Sequence, residues 1–451
     1  MSISRRSFLT GLSSVAAASA GVFAEAPAVR RGYERAQALR IDGQKLRERI
    51  EALSVYGRPP GGSFANGVSR VAYSDADVAG RQYVTDLLKK AGLEPRIDPA
   101  GNIFARRAGS DPTLRPILFG SHIDSVPSGG NFDGDLGSLA AISVIESCES
   151  AGLRTRHPLE VVVWSAEEGV AFGRGLAGSR IVAGDVKASD MDAVWNGLRR
   201  ADGIKKLGGS PDRIMDAIRP KGAHHAYLEL HIEQGGTLER GNMPVGVVEG
   251  IVAIERYTAV VTGFANHAGT TPMAERRDAL IAASQLTLAI RESVTKEPGR
   301  HVGTVGQLEV SPNAPNVIPG SVRLTIELRD LSTEKLAGLI ADIRQRARQI
   351  ASSTKTEIEI TELSRNPPAL ASAEIQRVIG HVAGSIGLQT TRLPSGAGHD
   401  AQMMAQLGPM GMIFVPSVGG ISHSPKELTR WQDCTNGANV LLHSVLELDR
   451  T

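Results

Sequence analysis

Short runs of apolar, β-branched residues alternate with helical spacing along most of the chain. Pro116–Gly120 (PILFG) and Leu159–Trp164 (LEVVVW) are apolar runs of strand length, and Leu136–Ala151 between them carries a helical pattern. Strand, helix and strand joined by short loops predict a parallel sheet covered on both faces. Residues 74–92 predict a further helix, with Val78, Val84, Leu87 and Leu88 as its apolar members.

The pattern changes after about residue 250. Ile251–Thr262 predicts a strand, Arg276–Val294 a helix, and Val302–Val310 and Val322–Leu328 two strands. Thr333–Ser352 predicts a helix, with Leu336, Leu339, Ile340 and Ile343 at helical spacing, and Thr356–Leu363 alternates as a strand. The order β-α-β-β-α-β is that of a self-contained ferredoxin-like unit. From residue 374 the α/β pattern returns. One domain, residues 250–367, is therefore read as inserted into another built from residues 31–249 and 368–451. A length of 451 residues, too great for one ordinary core, agrees with two domains.

Composition narrows the function. Lys+Arg 50 against Asp+Glu 48 leaves a net charge of +2, and no basic run exceeds a pair, which argues against a nucleic-acid partner. Two cysteines, Cys148 and Cys434, exclude a disulfide scaffold and a Cys-rich metal site; they read as buried small hydrophobes.

Residues 1–30 read as an address. Arg5 and Arg6 precede a mild apolar stretch from Phe8 to Ala20, followed by small residues suited to cleavage. Ser4-Arg5-Arg6-Ser7-Phe8-Leu9 has the form of a twin-arginine export signal, so a periplasmic or exported protein is expected. No other segment has eighteen uninterrupted apolar residues, so no membrane insertion is expected once the signal is removed.

The candidate chemistry lies at strand ends. Gly120-Ser121-His122-Ile123-Asp124 closes the first predicted strand, and the second runs into Ser165-Ala166-Glu167-Glu168. Asn131-Phe132-Asp133 lies between them, just before the helix. Ligand sites of open α/β sheets lie at such ends. His nitrogen and carboxylate oxygen are the ligands of catalytic zinc and related divalent metals. His231 in HIEQGG and His423 in GGISHSPKE are two further histidines in polar, Gly-rich settings.

The segments GSHIDSVPSGGNFDGDLG, WSAEEGVAFGRGLAGSR, HIEQGGTLE, FANHAGTTPMAERRDAL, PNAPNVIPG with ELRD, SGAGHDAQMM and VPSVGGISHSPKE run in order from residue 120 to 427. With them the sequence resembles the hydantoinase/carbamoylase branch of the M20 metallopeptidase-like amidohydrolases, which includes N-carbamoyl-L-amino-acid hydrolases, allantoate amidohydrolases and β-ureidopropionases. The resemblance implies a zinc-peptidase-like catalytic domain, with a mixed, mostly parallel sheet between helices, and makes the inserted unit a lid and dimerisation domain. It also implies a homodimer and two divalent metal ions per subunit, zinc first, with manganese, cobalt or nickel as alternatives.

In that scheme His122 and His231 hold one metal, Asp133 bridges both, and Glu168 and His423 hold the second. Asp124 orients His122, and Glu167 is the general base. Gln234, Asn316, Arg329 and the loop Gly396, Ala397 and Gly398 contact substrate, while His267 stabilises the developing oxyanion, in its own or a partner's site. The implied reaction is hydrolysis of a linear C–N bond in a small carbamoyl or ureido compound carrying a carboxylate, with release of ammonia. The alternatives are an M20 peptidase or aminoacylase acting on a dipeptide or acyl-amino acid, and a non-catalytic periplasmic binder of ureido compounds.

Overall fold

A computed structural model describes residues 38–451; the export signal read over residues 1–30 lies outside the described residues. Nine strands form one sheet. Across it run Pro95–Ile97, Ile103–Arg107, Leu159–Trp164, Ile117–His122, Ala226–Ile232, Met410–Val415 and Val245–Ile251. The short strands Ala369–Leu370 and Thr390–Ser395 both pair with the last of these.

The four central strands, Leu159–Trp164, Ile117–His122, Ala226–Ile232 and Met410–Val415, are mutually parallel. All four are buried along their whole length. That is why the sequence shows them as continuous apolar runs: helices cover both faces. One face packs on Gly43–Leu53, Asp135–Ser150, Ala373–Ser385 and Trp431–Leu448 in a shared core. The other carries Phe104, Trp164, Tyr227 and Phe414 against Ala177–Val182 and Asp400–Met404. The flanks are antiparallel, Ile103–Arg107 on Leu159–Trp164 and Val245–Ile251 on Met410–Val415, so the sheet is mixed.

The second sheet has four antiparallel strands in the order Val302–Ser311, Ser321–Asp330, Ala253–Thr262, Glu357–Asn366. Helices Ala279–Thr295 and Thr333–Thr354 bury Leu286, Ile290, Ile340 and Ile343 against Tyr257, Ala259, Val261, Leu324 and Ile326. Asp278 and Ser332 cap these helices by accepting first-turn N–H groups. Strand alternation leaves Arg256, Glu327 and Arg329 on the opposite face, beside one another through the pairing Glu327↔Arg256.

Two boundaries differ from expectation. The strand read as Ile251–Thr262 begins at Ala253, and Ile251 is instead the last residue of Val245–Ile251 in the large sheet. The chain passes between sheets at Val252, whose N–H donates to the Ser395 carbonyl. Both pieces are apolar and no turn residue separates them, so hydropathy runs through the junction unbroken. The helix expected from Arg276 begins at Ala279, where Asp278 caps it.

Candidate metal centre and active site

The four parallel strands point their C-terminal ends to one edge. His122 is the last residue of its strand, and His231 is the penultimate residue of the next. Glu167 and Glu168 follow Trp164, His423 lies in the loop after Val415, and Asp133 precedes the helix Asp135–Ser150. Two donor sets result, His122–Asp133–His231 and Asp133–Glu168–His423, each with one ligand atom per residue gathered within 4.8 Å. Asp133 belongs to both. Its Oδ1 lies 3.0 Å from His231 Nε2 and 3.5 Å from His122 Nε2. Its Oδ2 lies 3.5 Å from His423 Nε2, which is 3.3 Å from Glu168 Oε2.

Glu168 Oε1 is buried without a hydrogen-bond partner, and His231 Nε2 has only its 3.0 Å approach to Asp133 Oδ1, which is not aligned as a hydrogen bond. Buried polar atoms are rarely left so, and convergent N and O donors of this kind suit a divalent cation. Their opposite ring atoms are held. His122 Nδ1 faces the Asp124 carbonyl at 3.0 Å and His231 Nδ1 the Ile232 carbonyl at 2.9 Å, which presents both Nε2 atoms to the site.

Local backbone makes the convergence possible. Gly134 has φ +67°, and a Cβ there would fall 2.5 Å from the His122 ring, so this turn requires glycine. Ala166 has φ +54°, a left-handed residue before the Glu167–Glu168 pair. Asp124 serves this turn more directly than it serves His122. Its Oδ1 accepts from Glu167 N (3.0 Å) and its Oδ2 from Glu168 N (3.2 Å), whereas Oδ1 is 3.7 Å from His122 Nδ1. Toward the imidazole it is the Asp124 carbonyl that faces Nδ1, while the carboxylate clamps the acidic pair. Behind the strand end, buried Arg70 donates to the Ile123 carbonyl and to Asp135 Oδ1, both at 2.6 Å.

Charge is crowded here. Burial, with Asp133 adding to it, pushes Glu168 up to about 8. Burial also drives Glu167 well above the carboxylate range, against the pull of His122. Asp133 is held well below that range despite burial, because His231, His122 and His423 surround it. A bound cation is the group that relieves such crowding.

The profile of peptidase family M20/M25/M40 matches residues 118–447. The chain belongs to this family. It is 39% identical over 409 residues to the N-carbamoyl-L-amino acid amidohydrolase of Geobacillus stearothermophilus, covering 90% of this chain and 99% of that protein. It is 34% identical over 412 residues to the allantoate amidohydrolase of Escherichia coli K12, covering 90% and 98%. A hydantoinase/carbamoylase family amidase from Burkholderia multivorans has a similar structure, with TM-score 0.84 and 34% identity over 92% of this chain and 99% of that one. Among M20 proteins, the hydantoinase/carbamoylase amidases are thus the branch this chain resembles in sequence and in fold.

The remaining expected residues of this M20 chain divide into two groups. Gln234 joins the metal cluster: its Nε2 donates to Asp133 Oδ2 at 2.7 Å, and its Oε1 is buried without a partner. Arg329 lies on the insert's open face. Its Nε donates to Glu327 Oε1 (2.8 Å) and its Nη1 to the Gly396 carbonyl (2.6 Å), so it touches the Gly396–Ala397–Gly398 loop of the large-sheet body. His267 and Asn316 are exposed. They neighbour each other, since Ala268 N donates to the Asn316 carbonyl and His267 bridges to Val317. Among the described residues neither makes a hydrogen bond or ion pair to the metal cluster.

Three buried groups at the site carried no expectation. His399 packs edge-on against His231, with centroids 4.4 Å apart, and its Nε2 lies 2.8 Å from Ser395 Oγ. Glu229 accepts from Ser121 Oγ, Tyr227 OH and Ala401 N beneath the cluster. Glu427 binds the Asp133 loop. His399 sits inside the recognised motif SGAGHDAQMM, which was the available signal; Glu229 is one polar residue within an apolar strand.

Proposed function

We propose that this M20 chain is a metal-dependent amidohydrolase cleaving the linear C–N bond of a carbamoyl or ureido group in a small substrate bearing a carboxylate, such as an N-carbamoyl-L-amino acid or allantoate. The observation that carries the reading is the pair of donor sets sharing Asp133. There His122 and His231 would hold one divalent ion and Glu168 and His423 a second, with Asp133 common to both, zinc first and manganese, cobalt or nickel as alternatives. Bound there, they supply Lewis acidity that acidifies water and polarises the scissile carbonyl.

The chain's own residues do the rest. Glu167, 8% exposed and 3.8 Å from His122 Nε2, takes a proton from the attacking water and returns it to the leaving nitrogen. The bond from the ureido carbon to that nitrogen breaks, ammonia leaves, and the carbamate left behind loses carbon dioxide to give the amine. Gln234 Oε1 is free to accept from the ureido NH₂. Arg329, with Asn316, holds the substrate carboxylate, and His267 donates to the oxyanion once the insert closes on the body.

We also propose a homodimer formed through the insert. Val302–Ser311 is an edge strand, with Val302 52% and Leu308 44% exposed, and Ile281 and Leu288 of the adjacent helix are 53% and 61% exposed. An apolar edge of this kind is normally covered. Light scattering on the mature protein tests this, and a monomer would refute it. We propose export by the twin-arginine route on the motif Ser4-Arg5-Arg6-Ser7-Phe8-Leu9 and the apolar stretch that follows it, and replacing Arg5 and Arg6 with Lys should retain the protein in the cytoplasm. No described helix is long and apolar enough to cross a membrane.

The deciding experiment is ammonia release by purified protein, stripped of metal and then reloaded with Zn or Mn. The panel holds N-carbamoyl-L-amino acids, N-carbamoyl-β-alanine and allantoate, with dipeptides and acetyl-amino acids followed by amine release. Metal-dependent ammonia from a ureido compound is expected. Amine release from dipeptides or acetyl-amino acids alone would overturn the bond assignment.

A further inference from the structure

Glu427 is 4% exposed and none of the roles above uses it. Its Oε1 accepts from the backbone N–H of Phe132 (2.9 Å) and of Asp133 (3.1 Å). Its Oε2 accepts from Ser422 Oγ at 2.9 Å, and the same hydroxyl lies 3.0 Å from Asp133 Oδ2. Ser422 has one proton for these two carboxylates and donates to one of them at a time. The approach is close: a Cβ on Gly130 would fall 2.0 Å from Glu427 Oε1. Glu427 N donates to the Ser424 carbonyl, closing a turn that follows directly on Ser422 and His423.

The linked parts are distant in sequence but meet at one edge of the sheet. Asp133 enters from the loop before the helix Asp135–Ser150, and His423 from the loop after Met410–Val415. Both belong to the donor set Asp133–Glu168–His423. Among the described residues, Glu427 is the group that bonds the Asp133 backbone to the turn bearing His423. A tie needing only acceptors would be met by a neutral amide. A carboxylate beside an already acidic cluster costs energy unless cations offset it.

We infer that Glu427, with Ser422, is a positioning residue for the metal set Asp133–Glu168–His423, fixing the separation of its two loops and adding negative field for the cation. The inference rests on the two-metal reading above. Partners behind a ligand of this kind are worth about 10–100-fold in metal affinity.

The test is metal content and affinity of the full mature chain, by mass spectrometry and chelator competition, with Zn²⁺ and then Mn²⁺ as the only added probe. Wild type is expected to hold two ions. Glu427→Ala should weaken the ion of the set Asp133–Glu168–His423 by about 10–100-fold and the other, which shares only Asp133 with it, by less. Glu427→Gln, which keeps an acceptor and loses the charge, should fall between, and Ser422→Ala should weaken the same ion by less. Two ions held at wild-type affinity in both Glu427→Ala and Ser422→Ala would overturn the inference, even if the metal-free melting temperature fell. If Glu427→Ala does not fold, Ser422→Ala decides alone. A wild type that holds fewer than two ions would overturn the two-metal reading itself, and this inference with it.

Discussion

The metal edge of the large sheet and the open face of the inserted sheet are built on different principles. At the edge that carries the donor sets, four neighbouring parallel strands and one helix-preceding loop gather five candidate ligands, and His122 and His231 are each 1% exposed. The core that stabilises the strands also fixes the ligands. On the insert, Arg329 is half-buried and reaches the Gly396 carbonyl, whereas His267 and Asn316 are exposed and unconnected to the cluster. The first region is preorganised. The second carries its groups on a separate sheet with a separate core, so its geometry toward the substrate is set by how the two bodies meet. Chemistry and substrate grip should therefore be separable by mutation.

Metal removal should produce the largest effect, and only in the first region. Chelation should abolish turnover and lower the melting temperature. In metal-free protein Glu168 stands at about 8 because of burial and Asp133, and His423 at about 9 because of Asp133, then Glu168. Both folded-state values exceed the unfolded ones, so the folded state binds more protons between about pH 5 and 9. Metal-free stability should therefore fall as pH rises through that window. A cation replaces those protons, so the stabilisation by metal should widen toward pH 9. Calorimetry at pH 5.5, 7 and 8.5, with and without Zn, checks this. A metal-free melting temperature that rises with pH would remove the crowding argument.

Glu167→Gln comes next. Loss of the general base should lower kcat by about 10²–10⁴, with KM and metal content near wild type. Ammonia release with metal analysis on the same sample checks it. A fall in metal content would make Glu167 a ligand instead.

The preorganised region was also the more legible one. Pro116–Gly120 and Leu159–Trp164 read as buried strands because both faces are covered, and their ends pointed to His122, Glu167 and Glu168. The insert's order of elements was readable because Leu336, Ile340 and Ile343 keep helical spacing and Thr356–Leu363 alternates. Other features depend on contacts that no local pattern encodes. Glu427 meets Phe132 across a separation of 295 residues, and a Glu after Pro-Lys reads as surface. The hand-over at Val252 joins two apolar strands with no turn residue between them. The spacing of Asp124 from His122 is visible in the sequence, but whether its carbonyl or its carboxylate meets His122 depends on a turn that passes through a left-handed Ala166.

Arg329→Ala should act on the second region alone. A charge-assisted pair to a carboxylate is worth about 1.5–3 kcal/mol, so KM for carboxylate substrates should rise about 10–150-fold with unchanged metal content. A neutral amide analogue of the same substrate should lose little. Equal losses for both would mean that Arg329 holds the Gly396 loop rather than the substrate.

The smallest effect is expected where the two regions touch at their margin. Arg300 Nη1, on the insert, lies 2.6 Å from Glu249 Oε2 on the large sheet, with side chains 55% and 25% exposed. Arg300 also reaches the Arg392 carbonyl at 3.3 Å. An exposed pair of this kind is worth about 0–1 kcal/mol. Arg300→Ala should therefore leave the metal-loaded melting temperature within about a degree or two. Its influence should appear in the grip: with the margin loosened, Arg329 spends less time over the Gly396 loop. KM should then rise, by no more than about fivefold, the equivalent of about 1 kcal/mol, while kcat and metal affinity stay constant. A change in metal affinity would show that strain in the insert reaches His231 or His423, and the two regions would have to be treated as one mechanical unit.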